Sequence, residues 1–195
     1  MNILKTRSEL LKGKTIYDLD INVCYYVRVS TDKSDQLNSL ENQSSYFKEM
    51  VDSNKTWNYV GGYKDEGISG TGVKNRTNFL KMIEDSKNNK IDLILTKEVS
   101  RFARNIVDSI NYTEELLNNG TVVYFLSDNI NTIFPDSEFR LALMSSLAQD
   151  EVRKLSERVK FGIKRSIKSG RVLGSNNLTG YNKKNGILTI DEDKK

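Results

Sequence analysis

The stretch Tyr25–Thr31, YYVRVST, ends a run of aromatic and β-branched residues that begins at Val23. Such side chains fit a pleated, packed surface, so the run predicts a buried β-strand. Arg28 and Ser30 lie two positions apart and therefore point to the same side of that strand. A guanidinium and a hydroxyl at the carboxyl end of a first strand suit phosphate chemistry. The alternative interpretation is a surface arginine beside a serine that caps a helix.

The segments downstream alternate between strand and helix patterns. Strands are predicted at Trp57–Tyr63, Ile91–Thr96 and Thr121–Leu126. One helix is predicted to begin after Ser39 as its N-cap, and a second is predicted to follow the capping residues Asn75-Arg76-Thr77. A third helix is predicted from Ile106, with Asn105 as its cap and Gly120 just past its end. Upstream, a short helix is expected around Ser8 to Gly13. This alternation predicts an α/β fold with a mainly parallel sheet flanked by helices.

Polar residues follow the predicted strands. Asp65 lies in the glycine-rich segment Lys64–Gly72, which fits neither the P-loop nor the dinucleotide-binding pattern and has a mobile connection as its simplest interpretation. Arg101 and Arg104, three positions apart, would share a face if their turn is helical. Ligands of parallel sheets bind beyond the carboxyl ends of the strands. These side chains and Ser30 can therefore converge at one edge of the sheet.

Helical periodicity continues from Ser137 to Gly170, after the only proline, Pro135. At 1.5 Å per residue this helix would be about 45–50 Å long, longer than a small domain is wide. Its first half is broadly apolar and its second half is basic, so we expect it to leave its domain and to meet partner subunits and DNA. The residues predicted to contact DNA are Arg153, Lys154, Lys160, Lys164, Arg165, Lys168 and Arg171. The alternative is a solvated helix with ordinary lysines.

Composition excludes several kinds of site. The 195 residues carry 30 basic and 26 acidic side chains, a net charge of +4 that by itself does not establish nucleic-acid binding. The chain has no histidine, which excludes Ser-His-Asp triads and the usual zinc sites. With no carboxylate cluster either, we expect no metal and no cofactor. Cys24 is the only cysteine and is expected to be buried. No apolar run reaches the roughly 18 residues of a membrane span, and no signal core is present, which predicts a cytoplasmic protein.

Several short motifs, taken in order, resemble the serine recombinase (resolvase/invertase) family. The stretch Tyr25–Thr31 is followed by Ser-Leu-Glu-Asn-Gln from Ser39, Asp-Glu-Gly-Ile-Ser-Gly-Thr from Asp65, Arg76, Ser-Arg-Phe-Ala-Arg-Asn from Ser100, and Ala-Gln-Asp-Glu-x-x-x-x-x-Glu-Arg from Ala148. Each motif alone is weak, but their order together is highly specific. The tail from Ser169 resembles the start of the DNA-binding domain of large serine recombinases, which are phage integrases and transposases of mobile elements.

The resemblance implies a chemistry and a set of site residues. Ser30 would be the nucleophile, Arg28, Arg101 and Arg104 would hold the scissile phosphate, and Gln43, Asp65, Arg76 and Arg158 would complete the site. Family members form a 5′-phosphoserine bond, cut both strands of two double-stranded DNA sites in a tetramer, exchange the ends and religate them. Fixed guanidiniums neutralise charge on a phosphoryl group without a metal.

The resemblance also implies a division of the chain. Residues 1–21 would be an N-terminal leader, 22–136 a resolvase-like catalytic domain, 137–170 a long helix for dimer or tetramer formation and DNA contact, and 171–195 the start of a truncated DNA-binding domain. A fragment of this kind is expected to be inactive alone and to bind DNA weakly.

One position departs from the small resolvases: Ser100 stands where they usually carry an aspartate, although serine is familiar in the large branch. Any orienting role of that carboxylate then falls on Asp65 or is absent.

Two other classes of protein stay open. A non-catalytic phosphate- or DNA-binding α/β regulatory domain would gain nothing from Ser30. A complete sequence-specific DNA binder would need a groove-reading motif, and no helix-turn-helix or zinc finger is recognisable.

Overall fold

The computed structural model describes residues 1–29, 35–66, 76–103, 106–171, 181–184 and 187–191. The chain divides into two compact units, Met1–Ser145 and Ser146–Lys195. In the described part of the chain no helix is both long enough and apolar enough to span a membrane.

The first unit is built on a five-stranded sheet. Its strands are β1 (Ile21–Val29), β2 (Trp57–Glu66), β3 (Leu93–Thr96), β4 (Val122–Phe125) and β5 (Ile130–Asn131), in the order β2-β1-β3-β4-β5. The pairs β1–β2, β1–β3 and β3–β4 are parallel, and only the edge strand β5 is antiparallel. All four side chains of β3 are buried, as expected for an apolar strand covered on both faces.

Helices cover both faces of this sheet. They are α1 (Ile3–Leu11), α2 (Asp35–Asp52), α3 (Thr77–Lys87), α4 (Val99–Phe102), α5 (Ile106–Asn118) and the first part of α6 (Asp136–Lys168). One core layer joins Cys24 and Tyr26 of β1 to side chains of α3, α4, α5 and α6. The other joins Val23, Tyr25 and Val27 to α2 and the N-terminal segment. The predicted mainly parallel α/β sheet, followed by a long helix, is confirmed.

Several predicted boundaries differ from those observed. The first helix spans Ile3–Leu11 rather than residues 8–13. The N-terminal segment is hydrogen-bonded to the rest of the first unit: Arg7 Nε donates to the carbonyl of Ile133 at 2.6 Å, and Trp57 Nε1 donates to the carbonyl of Ile16 at 3.1 Å. Ser39 lies inside α2 and is not its N-cap. Both helices begin earlier than the sequence pattern predicts, because tertiary packing stabilises residues that have weak helical patterns of their own.

The predicted loop from Lys64 was wrong in its first residues, because Lys64, Asp65 and Glu66 continue β2 in register with Val27, Arg28 and Val29 of β1. Residues 67–75 of that segment lie outside the described residues. The predicted end of α5 is confirmed, since Gly120 follows it with a φ of +78°, a conformation that glycine adopts without strain.

The second unit contains the rest of α6 and a two-stranded antiparallel hairpin of β6 (Tyr181–Lys184) and β7 (Ile187–Ile190). Helix α6 has 33 residues, close to the predicted span of 137–170. Its length is about 50 Å at 1.5 Å per residue. Every side chain from Glu151 to Arg165 is exposed.

Candidate active site at the carboxyl ends of the strands

Arg28 is the last described side chain of β1 and reaches across to α4. Its Nε donates to the carbonyl of Arg101 at 3.1 Å, and its Nη2 donates to the carbonyl of Ser100 at 2.9 Å. The final carbonyls of a helix carry partial negative charge and have no partner within the helix. The guanidinium of Arg28 is therefore held between the carboxyl end of β1 and the carboxyl end of α4.

Arg101 projects from α4 and meets Glu98, the residue just before that helix. Arg101 Nε lies 3.1 Å from Glu98 Oε1, and the same oxygen accepts a hydrogen bond of 2.7 Å from Ser100 Oγ. The Arg101 side chain is 38% exposed and that of Glu98 is 32% exposed. A pair this open to water contributes little to stability, so an incoming anion can compete for the guanidinium.

Asp65 and Arg76 meet through the phenol of Tyr26. Tyr26 donates to Asp65 Oδ2 at 3.1 Å and accepts from Arg76 Nε at 3.2 Å and from Nη2 at 2.8 Å. Asp65 and Arg76 are each only 5% exposed. Burial raises the pKa of Tyr26 and keeps its proton available as a donor. A buried cation and a buried anion are thus joined through one hydroxyl, which offsets the cost of removing both from water.

Asp65 also accepts the backbone N–H groups of Asn78 at 3.1 Å and Phe79 at 3.0 Å, in the first turn of α3. A carboxylate at this position satisfies donors that the helix cannot satisfy itself. Arg76 lies 3.9 Å from the centre of the Phe79 ring and donates through Nη2 to the carbonyl of Phe102. In this structure Asp65 fixes the start of α3, and Arg76 fixes the end of α4.

Helix α4 is short and stops at Phe102. Ala103 follows it in an extended conformation, with φ −133° and ψ 169°. The helical turn on which Arg101 and Arg104 would share a face ends at Phe102, and Arg104 itself lies outside the described residues. The carbonyls of its last three residues instead accept hydrogen bonds from Arg28 and Arg76.

The other predicted site residues are less fully placed. Ser30 and Arg104 lie outside the described residues. Gln43 is half-buried on α2, one turn before the buried Phe47 and on the same face. Arg158 is exposed on α6 in the second unit. The structure thus brings Arg28, Arg101, Asp65 and Arg76 to one edge of the sheet.

The basic side chains predicted to contact DNA that lie on α6 are all exposed, and Arg171 is exposed just beyond the helix. Asp150 forms ion pairs with Arg153 at 2.5 Å and with Lys154 at 2.6 Å. The hydrogen bonds from Lys154 and Arg153 lower the pKa of Asp150. Among the described residues, Lys160, Lys164, Arg165 and Lys168 form no ion pair. The second half of the helix therefore presents its positive charge to solvent.

Tyr26, Glu98 and Asp128 belong to this arrangement and were not singled out from the sequence. Tyr26 has the apolar pattern of a core residue, and only the packing of α3 shows that its hydroxyl has two charged partners. Glu98 could have been found from the sequence, because it stands three positions before Arg101 and a carboxylate at that spacing can pair with an arginine on a helical turn. Asp128 reaches α4 from 29 residues away, which no local pattern reveals.

No metal-binding cluster of three or more histidine, cysteine or acidic side chains occurs within the part of the chain that the structure describes. A cavity of about 640 Å³ lies beside β2 and α3, lined among others by Asn58, Tyr63, Asp85 and Lys90. None of the predicted site residues that the structure describes lines it. The described part of the candidate active site lies at the carboxyl ends of β1 and β2 and beside α4, away from this cavity.

The chain is similar in sequence to known proteins. A family model described as "Resolvase, N terminal domain" matches residues 23–172. The Transposon Tn3 resolvase of Escherichia coli is 30% identical over 94 residues, which are 42% of this chain and 51% of that protein. The R46 site-specific recombinase of Escherichia coli is 31% identical over 94 residues, 42% of this chain and 50% of that protein. The chain thus spans about half the length of the curated relatives it matches.

Solved structures show the same fold. A resolvase family site-specific recombinase from Streptococcus pneumoniae superposes with a TM-score of 0.55 and 29% identity, covering 76% of this chain and 99% of that chain. The N-terminal catalytic domain of TP901-1 integrase superposes with a TM-score of 0.50 and 24% identity, covering 69% of this chain and 98% of that chain.

Proposed function

The chain belongs to the resolvase family of serine recombinases, and from that premise we propose that it is the catalytic part of an enzyme that cleaves and rejoins DNA at specific sites, with Ser30 as the nucleophile. The observation that carries the proposal is the position of Arg28. Arg28 lies near the carboxyl end of β1, two residues before Ser30, and its guanidinium donates to the carbonyls of Ser100 and Arg101 in α4. A serine hydroxyl can supply the nucleophile for phosphoryl transfer, and guanidiniums beside it can stabilise the charge that develops on the phosphate oxygens.

The proposed chemistry is a pair of phosphoryl transfers. The Ser30 oxygen attacks phosphorus, the bond from phosphorus to the 3′ oxygen of the DNA breaks, and the serine proton leaves as the 3′ hydroxyl forms. The product is a 5′-phosphoserine bond. Attack by a 3′ hydroxyl on that bond restores the DNA backbone and the free serine. One phosphate ester replaces another in each step, so no external energy source is needed.

Arg28, Arg101 and Arg104 are the proposed ligands of the phosphate oxygens. Charge that develops on these oxygens is stabilised best by donors that are already in place, because they need not reorganise during the reaction. The contacts of Arg28 and Arg76 with the end of α4 support such preorganisation. Gln43, Asp65 and Arg158 are proposed to complete the site, Asp65 by holding α3 and Tyr26.

We further propose that the parent enzyme belongs to the large serine recombinase branch and integrates or excises a mobile element. The support is the order of motifs after Ser30, the serine at position 100, and the tail from Ser169. The partners would be double-stranded DNA, met by the exposed basic side chains of α6, and further copies of the chain. The exposed apolar side chains of α6, among them Val152 at 68% and Leu155 at 60%, support self-association.

The test of this function is capture of the covalent intermediate. A full-length recombinase that carries this chain is incubated with its recombination site, nicked near the exchange point so that religation fails, and the mixture is then denatured. Protein should stay attached to a 5′ phosphate, and peptide mapping should place the bond on Ser30. Ser30→Ala should bind the same DNA with unchanged affinity and form no covalent complex.

Two results would contradict the proposal. Cleavage that survives in Ser30→Ala, or a bond mapped to a tyrosine, would mean that Ser30 is not the nucleophile. Specific DNA binding with no cleavage by the unmodified protein would favour the non-catalytic regulatory domain instead.

A further inference from the structure

Helix α4 carries Arg101, yet it is too short to be stable by itself. It has four residues, Val99–Phe102, and a single helical turn fixes several dihedral angles in return for one hydrogen bond. Its geometry therefore depends on contacts from the rest of the fold. Arg28 and Arg76 supply them at its carboxyl end.

At the start of α4 the contact comes from Asp128. The backbone N–H of Val99 donates to Asp128 Oδ2 at 2.7 Å. The segments that carry the two residues also run side by side, since the N–H of Ser127 donates to the carbonyl of Lys97 at 2.8 Å. The Asp128 carboxylate thus satisfies a backbone donor of the short helix and sets where that helix begins.

Asp128 is itself held by helix α6. Arg140 Nη2 donates to the carbonyl of Asp128 at 3.1 Å, and Arg140 Nη1 donates to the carbonyl of Asn129 at 2.7 Å. Asn129 has a φ of +50°, a left-handed conformation that asparagine tolerates better than most residues. The planar fork of one arginine binds two successive carbonyls and fixes this turn.

Glu98 is the other carboxylate at α4, but it acts on a different part of the helix. It contacts the side chains of Ser100 and Arg101 and is a third exposed, so it can hold a guanidinium in place only until an anion replaces it. Asp128 contacts the backbone. Its contact can persist when Arg101 turns to a phosphate.

We propose that Asp128 is a positioning residue for DNA cleavage: through the N–H of Val99 it sets the place of α4 and hence of Arg101, while Arg140 holds Asp128 from helix α6. This inference rests on the proposed function, because it assigns Arg101 to the phosphate. The hydrogen bonds of Asp128 with Val99 and Arg140 do not depend on the proposed function. A chain of hydrogen bonds from Arg140 through Asp128 to Val99 joins the start of the long helix to the arginine-bearing turn.

Three variants test the inference. Asp128→Ala removes the acceptor. Asp128→Asn keeps a side-chain oxygen that can accept from Val99 and serves as the conservative rescue. Asp85→Ala is the matched control, because Asp85 also accepts hydrogen bonds at 2.7 and 2.8 Å, from Lys90 and Tyr63, but lies at the opposite end of α3 from Arg76.

The first readout is amide hydrogen exchange in the full chain, which needs no DNA. The N–H of Val99 should lose its protection in Asp128→Ala, keep most of it in Asp128→Asn, and be unchanged in Asp85→Ala. Equal protection in Asp128→Ala and the unmodified chain would overturn the inference, whatever the protein does to DNA.

The second readout is single-turnover cleavage of the nicked site by the full-length recombinase at saturating protein. Asp128→Ala should lower the rate at least roughly tenfold, because a displacement of about 1 Å in a catalytic group can cost a hundredfold. Its DNA affinity should stay unchanged, Asp128→Asn should restore most of the rate, and Asp85→Ala should cleave normally. Normal cleavage by Asp128→Ala would overturn the positioning role. Failure of the unmodified enzyme to cleave, or cleavage by Ser30→Ala, would instead overturn the proposed function.

Discussion

The guanidinium of Arg28 donates to the backbone carbonyl of Arg101 at 3.1 Å, although the two residues are 73 positions apart in the chain. Strand β1 and the short helix α4 are thereby joined at the edge of the sheet where the site is proposed. The charge of one arginine helps to fix the backbone from which the other projects. Changes at Arg28 are therefore expected to affect both residues.

Arg28→Lys is expected to keep the charge and lose the planar fork that binds two carbonyls. Loss of one preorganised donor typically costs about 3–4 kcal/mol of transition-state stabilisation, so single-turnover cleavage by the full-length enzyme should fall about a hundredfold or more. Arg7→Lys is the control, because Arg7 also donates to a carbonyl, that of Ile133, away from the site. Equal rates for the two variants would contradict a catalytic position for Arg28.

Tyr26→Phe should destabilise the fold. The change removes the hydroxyl that joins Asp65 to Arg76, and both charged side chains are buried. A buried polar group left without its partner costs about 1–3 kcal/mol, which urea unfolding should measure as a lower free energy of unfolding. Tyr124→Phe loses only a 3.4 Å contact with Asn129 at the surface and should change little. Similar losses in both variants would argue against the buried network.

Thr96→Val is expected to be neutral or to stabilise the protein by about 1 kcal/mol, because the buried Thr96 hydroxyl has no hydrogen-bond partner among the described residues. Thr121→Val should have the opposite effect. The equally buried Thr121 hydroxyl donates to the carbonyl of Ile91 and accepts from Ser86, each at 2.7 Å. Thermal unfolding of the two variants measures the difference. Destabilisation by Thr96→Val as large as that by Thr121→Val would show that Thr96 has a partner.

Asp85→Asn should make the protein less stable at neutral pH but less sensitive to acid. Hydrogen bonds from Lys90 and then from Tyr63 lower the pKa of Asp85 in the folded state. Its contribution is therefore fully present above the unfolded pKa of about 3.9 and is lost as pH falls through the lower folded pKa. Urea unfolding across a pH series should show a constant advantage of the unmodified protein from pH 7 to about 5 that shrinks below about 4. An advantage that does not change with pH would contradict this assignment.

Val152→Asp combined with Leu155→Asp should shift the chain toward monomer. Both side chains are exposed on one stripe of α6, and apolar stripes of this kind tend to pair with another copy. Phe161→Asp is the control, because Phe161 is also exposed but lies on the opposite side of the helix from Val152. Sedimentation at high concentration compares the three proteins. A strictly monomeric unmodified chain would contradict self-association.

Local pattern was sufficient to identify most of the elements. The β-branched and aromatic runs at β1, β3 and β4 predicted strands, and Cys24 is buried as expected. The spacing of apolar residues predicted α6 to within two residues at each end. These features depend on side chains near one another in the sequence, so the sequence alone reveals them. The edge strand β5 was missed because it has only two residues, and β6 was missed because its sequence, YNKK, lacks the β-branched residues that indicate a strand.

The roles of Asp65, Arg76 and Asp128 depend on contacts between distant segments. Asp65 was assigned to a loop because glycines follow it, but pairing of β2 with Arg28 and its neighbours continues the strand through Glu66. Local propensity is weak beside the hydrogen bonds of a neighbouring strand and the packing of a helix on it. The same pairing brings the Asp65 carboxylate to the N-terminus of α3.

The sequence by itself determined which chemical groups are available: a serine and several arginines near strand ends, and no histidine. Only the tertiary structure decided which of those groups are buried and which are exposed to solvent. Arg76 is buried against Tyr26 and Phe102, whereas Arg101 is partly exposed beside Glu98. The physical reason is that burial and hydrogen bonding of a charged side chain depend on atoms supplied by other strands and helices, and their positions are set by the packing of the whole sheet.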